Sequence, residues 1–453
     1  MSVHMIDSAL FKDLFGTKEM REIFSDENLL QKWLDVEAAL ARVEARLGII
    51  PEEAAEEISR KALVKYLDIG KIKEQIDVTG HPIVPLIRAL QAACTGDAGE
   101  YIHWGATTQD IMDTGIVLQL KEAYNLILRD LREIEGILIN LAERYKSTPM
   151  VGRTHGQHAL PITFGYKVAV WIGEVHRHIQ RLEECKKRLL VGQFAGATGT
   201  LASLGEIGLE VQELLMEELG LGVPDIAWHA SRDRFAEFIS ILSMISSTLA
   251  KIANEIAVLQ KTEFDELEEP FQPGKVGSST MPHKRNPMIC EGIVALSKII
   301  RSDLLLAHEG MIQEHERDMR PWQAEWECIP EACILTGAVL QRSKYVLSNL
   351  VVKPENMKKN LDLTSGLIMS EAVMLELAKK IGRQTAHELI YELAMNAFEQ
   401  NIPFGHCLLN SPDVREHLSE EKINSLLDPE SYIGLSTEFV DKVIKLVRAE
   451  QEQ

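Results

Sequence analysis

Several features that would place this chain in a broad class are missing from it. Cysteine is scarce, with six in 453 residues, at positions 94, 185, 290, 328, 333 and 407. None forms a C-x-x-C pair or a ligand-like cluster, so the expectation is reduced thiols in a cytoplasmic protein. No run approaches the ~18 consecutive apolar residues of a membrane span. The opening residues, MSVHMIDSALFKDLFG, lack the basic and apolar segments of a signal peptide. Positive charge is in deficit, with 48 Lys and Arg against 68 Asp and Glu, a formal net charge of −20. A field of that sign repels nucleic acid and anionic membranes, so neither is expected as a partner. The alternating Val/Ile/Thr segments and Asn-Gly turns of a sheet are absent as well.

What is present is helical periodicity. Over 116–145 the apolar positions Leu120, Tyr124, Ile127, Leu131, Ile134, Leu138 and Leu141 are spaced four, three, four, three, four, three. Over 235–260 the set Phe235, Phe238, Leu242, Ile245, Leu249, Ile252, Ile256 and Leu259 repeats the same pattern. Each is an a/d seam held for more than three heptads, which predicts long rods packed at shallow angles. Apolar residues surround much of the second rod, so it is expected to be covered on several sides, partly by other subunits. Further helical patterns run over 27–47, closed by Gly48, and over 160–190, 288–318 and 323–350. The chain reads as all-α. Shorter helices fill 1–109, the long rods fill 110–363, and a unit with shorter helices separated by Pro and Gly fills 364–453.

One segment breaks the pattern. Residues 263–287 form a stretch with four prolines between two long helices, and loops of that length are usually functional or disordered. It ends in GSSTMPHKRNP (277–287), which gathers three hydroxyls, an imidazole, a lysine and an arginine without a carboxylate. An acidic protein that binds an anion needs such a local positive island. Asn286-Pro287 reads as an N-cap followed by Pro at the first helical position, delivering the loop onto a helix N-terminus that is itself an anion site. Three other glycine-punctuated segments carry Thr, His, Arg or Gln near expected helix ends: DVTGHPIVP (77–85), EYIHWGATTQDIMDT (100–114) and GRTHGQHALP (152–161).

GSSTMPHKRNP resembles the signature of the fumarase/aspartase superfamily, at Gly277, Ser278, Ser279, Met281, Pro282, Lys284, Asn286 and Pro287. GATTQD and GRTHGQH are similar to the family's other two active-site segments, in the same order, and the likeness covers essentially the whole chain. The resemblance implies three helical domains and a homotetramer whose long helices form a twenty-helix core, with each active site drawn from three subunits. It implies removal of a proton next to a carboxylate, through an aci-carboxylate intermediate, with loss of nitrogen or oxygen from the neighbouring carbon. Fixed donors aimed at that developing charge would supply most of the rate. By resemblance Ser278 is the general base, His155 assists the leaving group and Glu291 orients that histidine. Thr107, Thr108, Gln109, Thr154, Ser279, Met281, Lys284 and Asn286 would bind a dicarboxylate. His81 and His103 match histidine positions of adenylosuccinate lyases, and Arg317 and Arg320 could meet a further anion. The chemistry requires neither metal nor organic cofactor.

Each of these residues also has a plainer reading. A Ser-Ser pair is usually a turn, His155 and His158 could be a metal pair without a third ligand, and His158 could be structural. His81 before Pro82 could cap a helix, His103 beside Trp104 could be a packed imidazole, and Glu291 could be an ordinary first-turn acid. The branch is equally open. The phosphate-reading hydroxyls typical of adenylosuccinate lyases are replaced in ERDMRPWQAEWE (316–327) by Pro321, Trp322 and Gln323, and that segment resembles 3-carboxy-cis,cis-muconate cycloisomerases. Those cycloisomerases commonly carry Trp where this chain has His155, and the imidazole favours true elimination. The expected function is a lyase releasing fumarate from an N- or O-substituted succinate, with the cycloisomerase as alternative. A non-catalytic tetramer of the lens-crystallin kind is a third reading, against which every expected polar residue stands.

Overall fold

The computed structural model describes residues 4–271, 274, 278 and 280–451. Among them are nineteen α-helices and four short strands, so the fold is all-α. The predicted rods are present and longer at their N-termini than the seams alone indicate. The helix expected over 116–145 runs Thr108–Arg144, and the next ones run Phe164–Leu189, Asp233–Leu259, Met288–Glu309 and Met319–Ser348. At 1.5 Å per residue the first, of 37 residues, is a rod of about 55 Å. Its seam from Leu120 to Leu138 is essentially fully buried, as is the seam from Phe235 to Leu259. That second helix is long and apolar enough to cross a membrane by length and composition, yet 67% of its most apolar stretch is buried within the fold, as in a core helix.

Local signals set the ends. Ser25 accepts a hydrogen bond from the Asn28 amide at 3.3 Å and opens Asp26–Arg46, and Gly48 follows its end at φ 71°. The Thr108 helix begins with a reciprocal cap: the Thr107 amide donates to Asp110 Oδ2 at 3.0 Å while the Asp110 amide donates to the Thr107 carbonyl at 2.9 Å. The helix expected over 288–318 stops at Glu309, before Gly310.

Two expectations need correction. No sheet was expected, yet GRTHGQHALP, just before the helix that starts at Phe164, forms a hairpin, with strand Pro149–Thr154 antiparallel to Gln157–Thr163. Its turn places His155 and Gly156 at φ 53° and 77°, the positive values that a two-residue hairpin turn demands. His-Gly here does what Asn-Gly usually does, so the usual turn signal was absent. Gly152 is required by packing, since a Cβ there would come within 2.6 Å of the Leu160 carbonyl. The second correction concerns the exit of the signature loop. The helix begins at Met288, with the Pro287 carbonyl accepting from the Glu291 amide at 2.9 Å, so Pro287 and not Asn286 stands at the cap.

The chain divides into two compact units. The first comprises Met1–Leu131, His178–Leu249 and Ile293–Gln341, and includes a core of Leu34, Val36, Ile58, Ile83, Leu90, Ile111 and Trp322. The second comprises Arg132–Arg177, Ala250–Gly292 and Arg342–Gln453. Its core clusters include Val373, Leu377, Phe404 and Leu408, and Val151 with Met369 beneath the hairpin.

Candidate active site

In the first unit the predicted segments 77–85, 100–114 and 316–320 supply neighbouring side chains. Asp110, fully buried, is the hub. Its Oδ1 accepts from the Ala195 amide at 3.1 Å and pairs with His229 Nε2 at 2.8 Å, while Oδ2 accepts from the amides of Gly196 at 2.9 Å and Thr107 at 3.0 Å. These bonds lock the start of the long helix against the loop after Leu190. Thr107 Oγ1 then accepts from Arg317 Nη1 at 3.1 Å, and Arg317 Nη2 donates to the Ala197 carbonyl at 3.0 Å. Thr108 Oγ1 lies 3.1 Å from His81 Nε2, and the other ring nitrogen of His81 accepts from the Val84 amide at 3.3 Å. His81 is therefore both a helix cap and a neighbour of an expected substrate-binding hydroxyl. Gln109 is buried and donates to the His229 carbonyl at 3.0 Å, so its amide supports the loop carrying His229.

His103 lies on a residue with φ 65°, its Nδ1 2.6 Å from Glu37 Oε1 and its ring within range of the Asp110 charge. Burial alone would lower this imidazole, but the Glu37 carboxylate outweighs it and raises the pKa above the ordinary value. Glu37 also helps to push buried Glu44 up to about 9, after burial itself. Arg320, expected as a possible anion reader, is already paired with acids of its own segment: Asp318 at 2.7 Å and Glu314 at 2.8 Å hold its guanidinium. The Arg320 bond in turn holds the Asp318 carboxyl down at about 2. Trp322, where the sequence lacks a hydroxyl, is buried and donates to Asp113 Oδ1 at 3.2 Å.

In the second unit lie the expected acid–base residues. Ser278 Oγ accepts hydrogen bonds from the amides of Met281 at 3.0 Å and Thr280 at 3.3 Å. The turn expected of a Ser-Ser pair is thus present, and it is also what a serine base needs, because donors on Oγ stabilise the alkoxide. Ser279 and Gly277 lie outside the described residues. Met281 and Lys284 are exposed and Asn286 is half-buried, and the Lys284 amide closes the turn on the Met281 carbonyl at 3.0 Å. Thr154 and His155 are exposed at the hairpin tip, and Glu291 is exposed on the first turn of the Met288 helix. His158, facing Arg153 across the hairpin, is pushed below its ordinary pKa by burial and by the Arg153 charge.

Residues outside the motifs position these groups. Arg153 is bound through both terminal nitrogens to Glu266, at 2.6 and 3.0 Å, and Asn360 donates to the same carboxylate at 2.8 Å. Glu269, only 2% exposed, accepts from the amides of Ile289 at 3.0 Å and Cys290 at 3.0 Å. The helix N-terminus expected to receive a substrate anion is therefore already capped by a carboxylate of the chain itself. Glu269 was not singled out from the sequence, because a lone acid has no local signature, and Asp110, though inside the GATTQD segment, was passed over for its hydroxyl and amide neighbours. The loop containing Ala195 and Gly196 did carry one, GQFAGATGT (192–200), punctuated by glycine as the recognised segments are.

Of the seven described non-glycine residues with positive φ, three are histidines, His103, His155 and His315. Backbone in that region costs roughly 1–2 kcal/mol per residue and gathers at functional sites, which singles out the loops carrying His103 and His155.

Comparisons with known proteins follow the same lines. Residues 15–301 match the family model described as Lyase, and residues 366–443 the one described as Adenylosuccinate lyase C-terminus. The N-acetyl-S-(2-succino)cysteine lyase of Enterococcus italicus is 48% identical over 444 residues, 98% of this chain and 97% of the relative. The adenylosuccinate lyase of Methanocaldococcus jannaschii is 45% identical over 451 residues, 99% of this chain and 96% of the relative. The solved structure of the 3-carboxy-cis,cis-muconate lactonizing enzyme from Pseudomonas putida superposes with a TM-score of 0.92 at 39% identity, covering 98% of this chain and 99% of that one.

Proposed function

Because this chain belongs to the fumarase/aspartase superfamily of lyases and cycloisomerases, in the branch of adenylosuccinate lyase and carboxymuconate cycloisomerase, we propose that it eliminates a leaving group from a substituted succinate and releases fumarate. The sequence suggested nitrogen or oxygen as the departing atom. The likeness to the Enterococcus italicus enzyme adds sulfur, and a thioether of the N-acetyl-S-(2-succino)cysteine kind is our leading substrate.

In this reading Ser278 removes the proton from the carbon beside the distal carboxylate. The two amides on its Oγ, 3.0 and 3.3 Å away, are the observation that carries the assignment. The carboxylate next to the carbanion takes up the second negative charge, with Lys284, Asn286, Thr107, Thr108 and Thr154 as donors to it. The carbon–sulfur bond then breaks towards thiolate, and the electron pair of the carbanion becomes the second bond of fumarate. His155 protonates the leaving group and Glu291 orients it. A thiolate, with an ordinary pKa of about 8.5, needs that proton far less than an amine does. Gln109, Ser279, Met281, His81, His103 and Arg317 complete the proposed site. Its segments would come from different copies of the chain in a homotetramer with three-domain protomers.

The nucleotide reading is disfavoured where a phosphate would sit, since Trp322 is buried and Arg320 is held by Asp318 and Glu314. The cycloisomerase reading is kept alive by the likeness to the lactonizing enzyme across nearly the whole chain. The test is ultraviolet absorbance with three substrates: N-acetyl-S-(2-succino)cysteine, adenylosuccinate and 3-carboxy-cis,cis-muconate. Fumarate appearing fastest from the thioether supports the proposal. Fumarate from adenylosuccinate alone, or consumption of the muconate alone, would replace it.

A further inference from the structure

Within the first unit lies a cavity of about 470 Å³ whose walls include none of Thr107, Thr108, His81 and Arg317. That volume falls within the range of small-molecule sites. Its walls are aromatic, with Phe24, Trp33, Phe235, Trp322 and Trp326 among them. Trp322 and Trp326, both on its wall, are packed edge to face, with ring centroids 5.2 Å apart.

The charge around this space is lopsided. One guanidinium, Arg232, lines it, and Asp113 and Glu325 already hold that group from both sides, with Arg232 Nη1 2.6 Å from Asp113 Oδ2. Asp7, Asp26 and Glu327 complete the rim, all exposed. Counting lining residues, five carboxylates face one guanidinium. A dicarboxylate is repelled here, so the cavity is unsuited to the substrate of the proposed reaction. Indole faces and carboxylates together favour an organic cation, whose charge is attracted by both.

We propose that this cavity binds a primary amine with an aryl or alkyl body, its ammonium among Asp7, Asp26 and Glu327 and its body against Trp33, Trp322 and Trp326. The inference is independent of the lyase reading, because it concerns a ligand of opposite charge on different side chains.

The experiment uses the full-length protein and three probes of matched length: 3-phenylpropylamine, 3-phenylpropan-1-ol and 3-phenylpropionate. Binding is followed by tryptophan fluorescence and titration calorimetry. The amine should bind saturably, with a dissociation constant of about 0.1–1 mM, usual for a ligand of ten heavy atoms. The propionate should bind at least tenfold more weakly, with the alcohol between them. Trp326→Ala and Glu327→Gln, both at exposed positions, should each weaken the amine at least fivefold, and fumarate should not displace it. Absence of saturable amine binding, equal binding of amine and propionate, displacement by fumarate, or amine binding unchanged in both variants would each overturn the proposal. The probe series on the unaltered protein decides the matter even if a variant fails to fold.

Discussion

Removing the Glu269 carboxylate tests how the signature loop is anchored. This side chain is buried and accepts from two amides of the Met288 helix, those of Ile289 and Cys290. Glu269→Ala deletes a helix cap, a loss of about 0.5–2 kcal/mol. It also leaves the buried Cys290 amide without that acceptor, for about 1–3 kcal/mol. Taken together, near the middle of both ranges, they come to about 2–4 kcal/mol in the stability of the helix start. Glu269→Gln keeps an acceptor of nearly the same shape and gives up the charge–dipole attraction, for about 1 kcal/mol. Hydrogen exchange at the Ile289 and Cys290 amides is the local assay. Opening made easier by 2–4 kcal/mol speeds exchange by about 30- to 1,000-fold in the Ala variant, and by about fivefold in Gln. Turnover should fall in parallel, since the same helix turn carries Glu291. Exchange within threefold of the unaltered protein in Glu269→Ala would refute the argument that this carboxylate holds the helix start.

Four further outcomes are expected. Ser278→Ala should abolish turnover by at least about a thousandfold while leaving the thermal midpoint within about a degree, because a half-buried turn hydroxyl bonded only to neighbouring amides contributes little to stability. His155→Gln should reduce elimination of an amine leaving group by about a hundredfold or more and of a thiolate by about tenfold or less, since thiolate needs the proton far less; equal losses in steady-state assays would contradict the assigned role. Glu44, raised to about 9 by burial and by Glu37, keeps its proton in the folded state while the unfolded chain releases it above about 4.5. Stability contributed at this site therefore declines as pH rises from about 4.5 to 9, and Glu44→Gln should remove that decline, so urea midpoints of the two proteins diverge with pH in that window. Arg317→Ala removes the donor on Thr107 Oγ1 and should raise KM several-fold with a smaller change in kcat, measured under steady state.

The all-α architecture and the rods were legible because a seam such as Phe235 to Leu259 records, in spacing alone, which side of a helix is buried. The motif segments were legible because glycine, threonine and histidine together serve few structural purposes. The hairpin at 149–163 was not, since a His-Gly turn does not announce itself and its strands alternate only weakly. The roles of Asp110 and Glu269 were hidden for a different reason. Asp110 closes a quoted motif and Glu269 is one acid among many, and neither shows its task until the fold brings four partners to the first and two amides to the second.

By itself the sequence determined the helical class, the superfamily signature and the residue types on which the proposed chemistry rests, because these depend on periodicity and on chemistry local to a few positions. Only the tertiary structure decided which carboxylate caps the helix after the signature loop, which arginine is already held by acids, and where aromatic walls meet an acidic rim. Those outcomes depend on distances between residues far apart in the chain, and hydrogen bonds and charge pairs act only over a few ångströms.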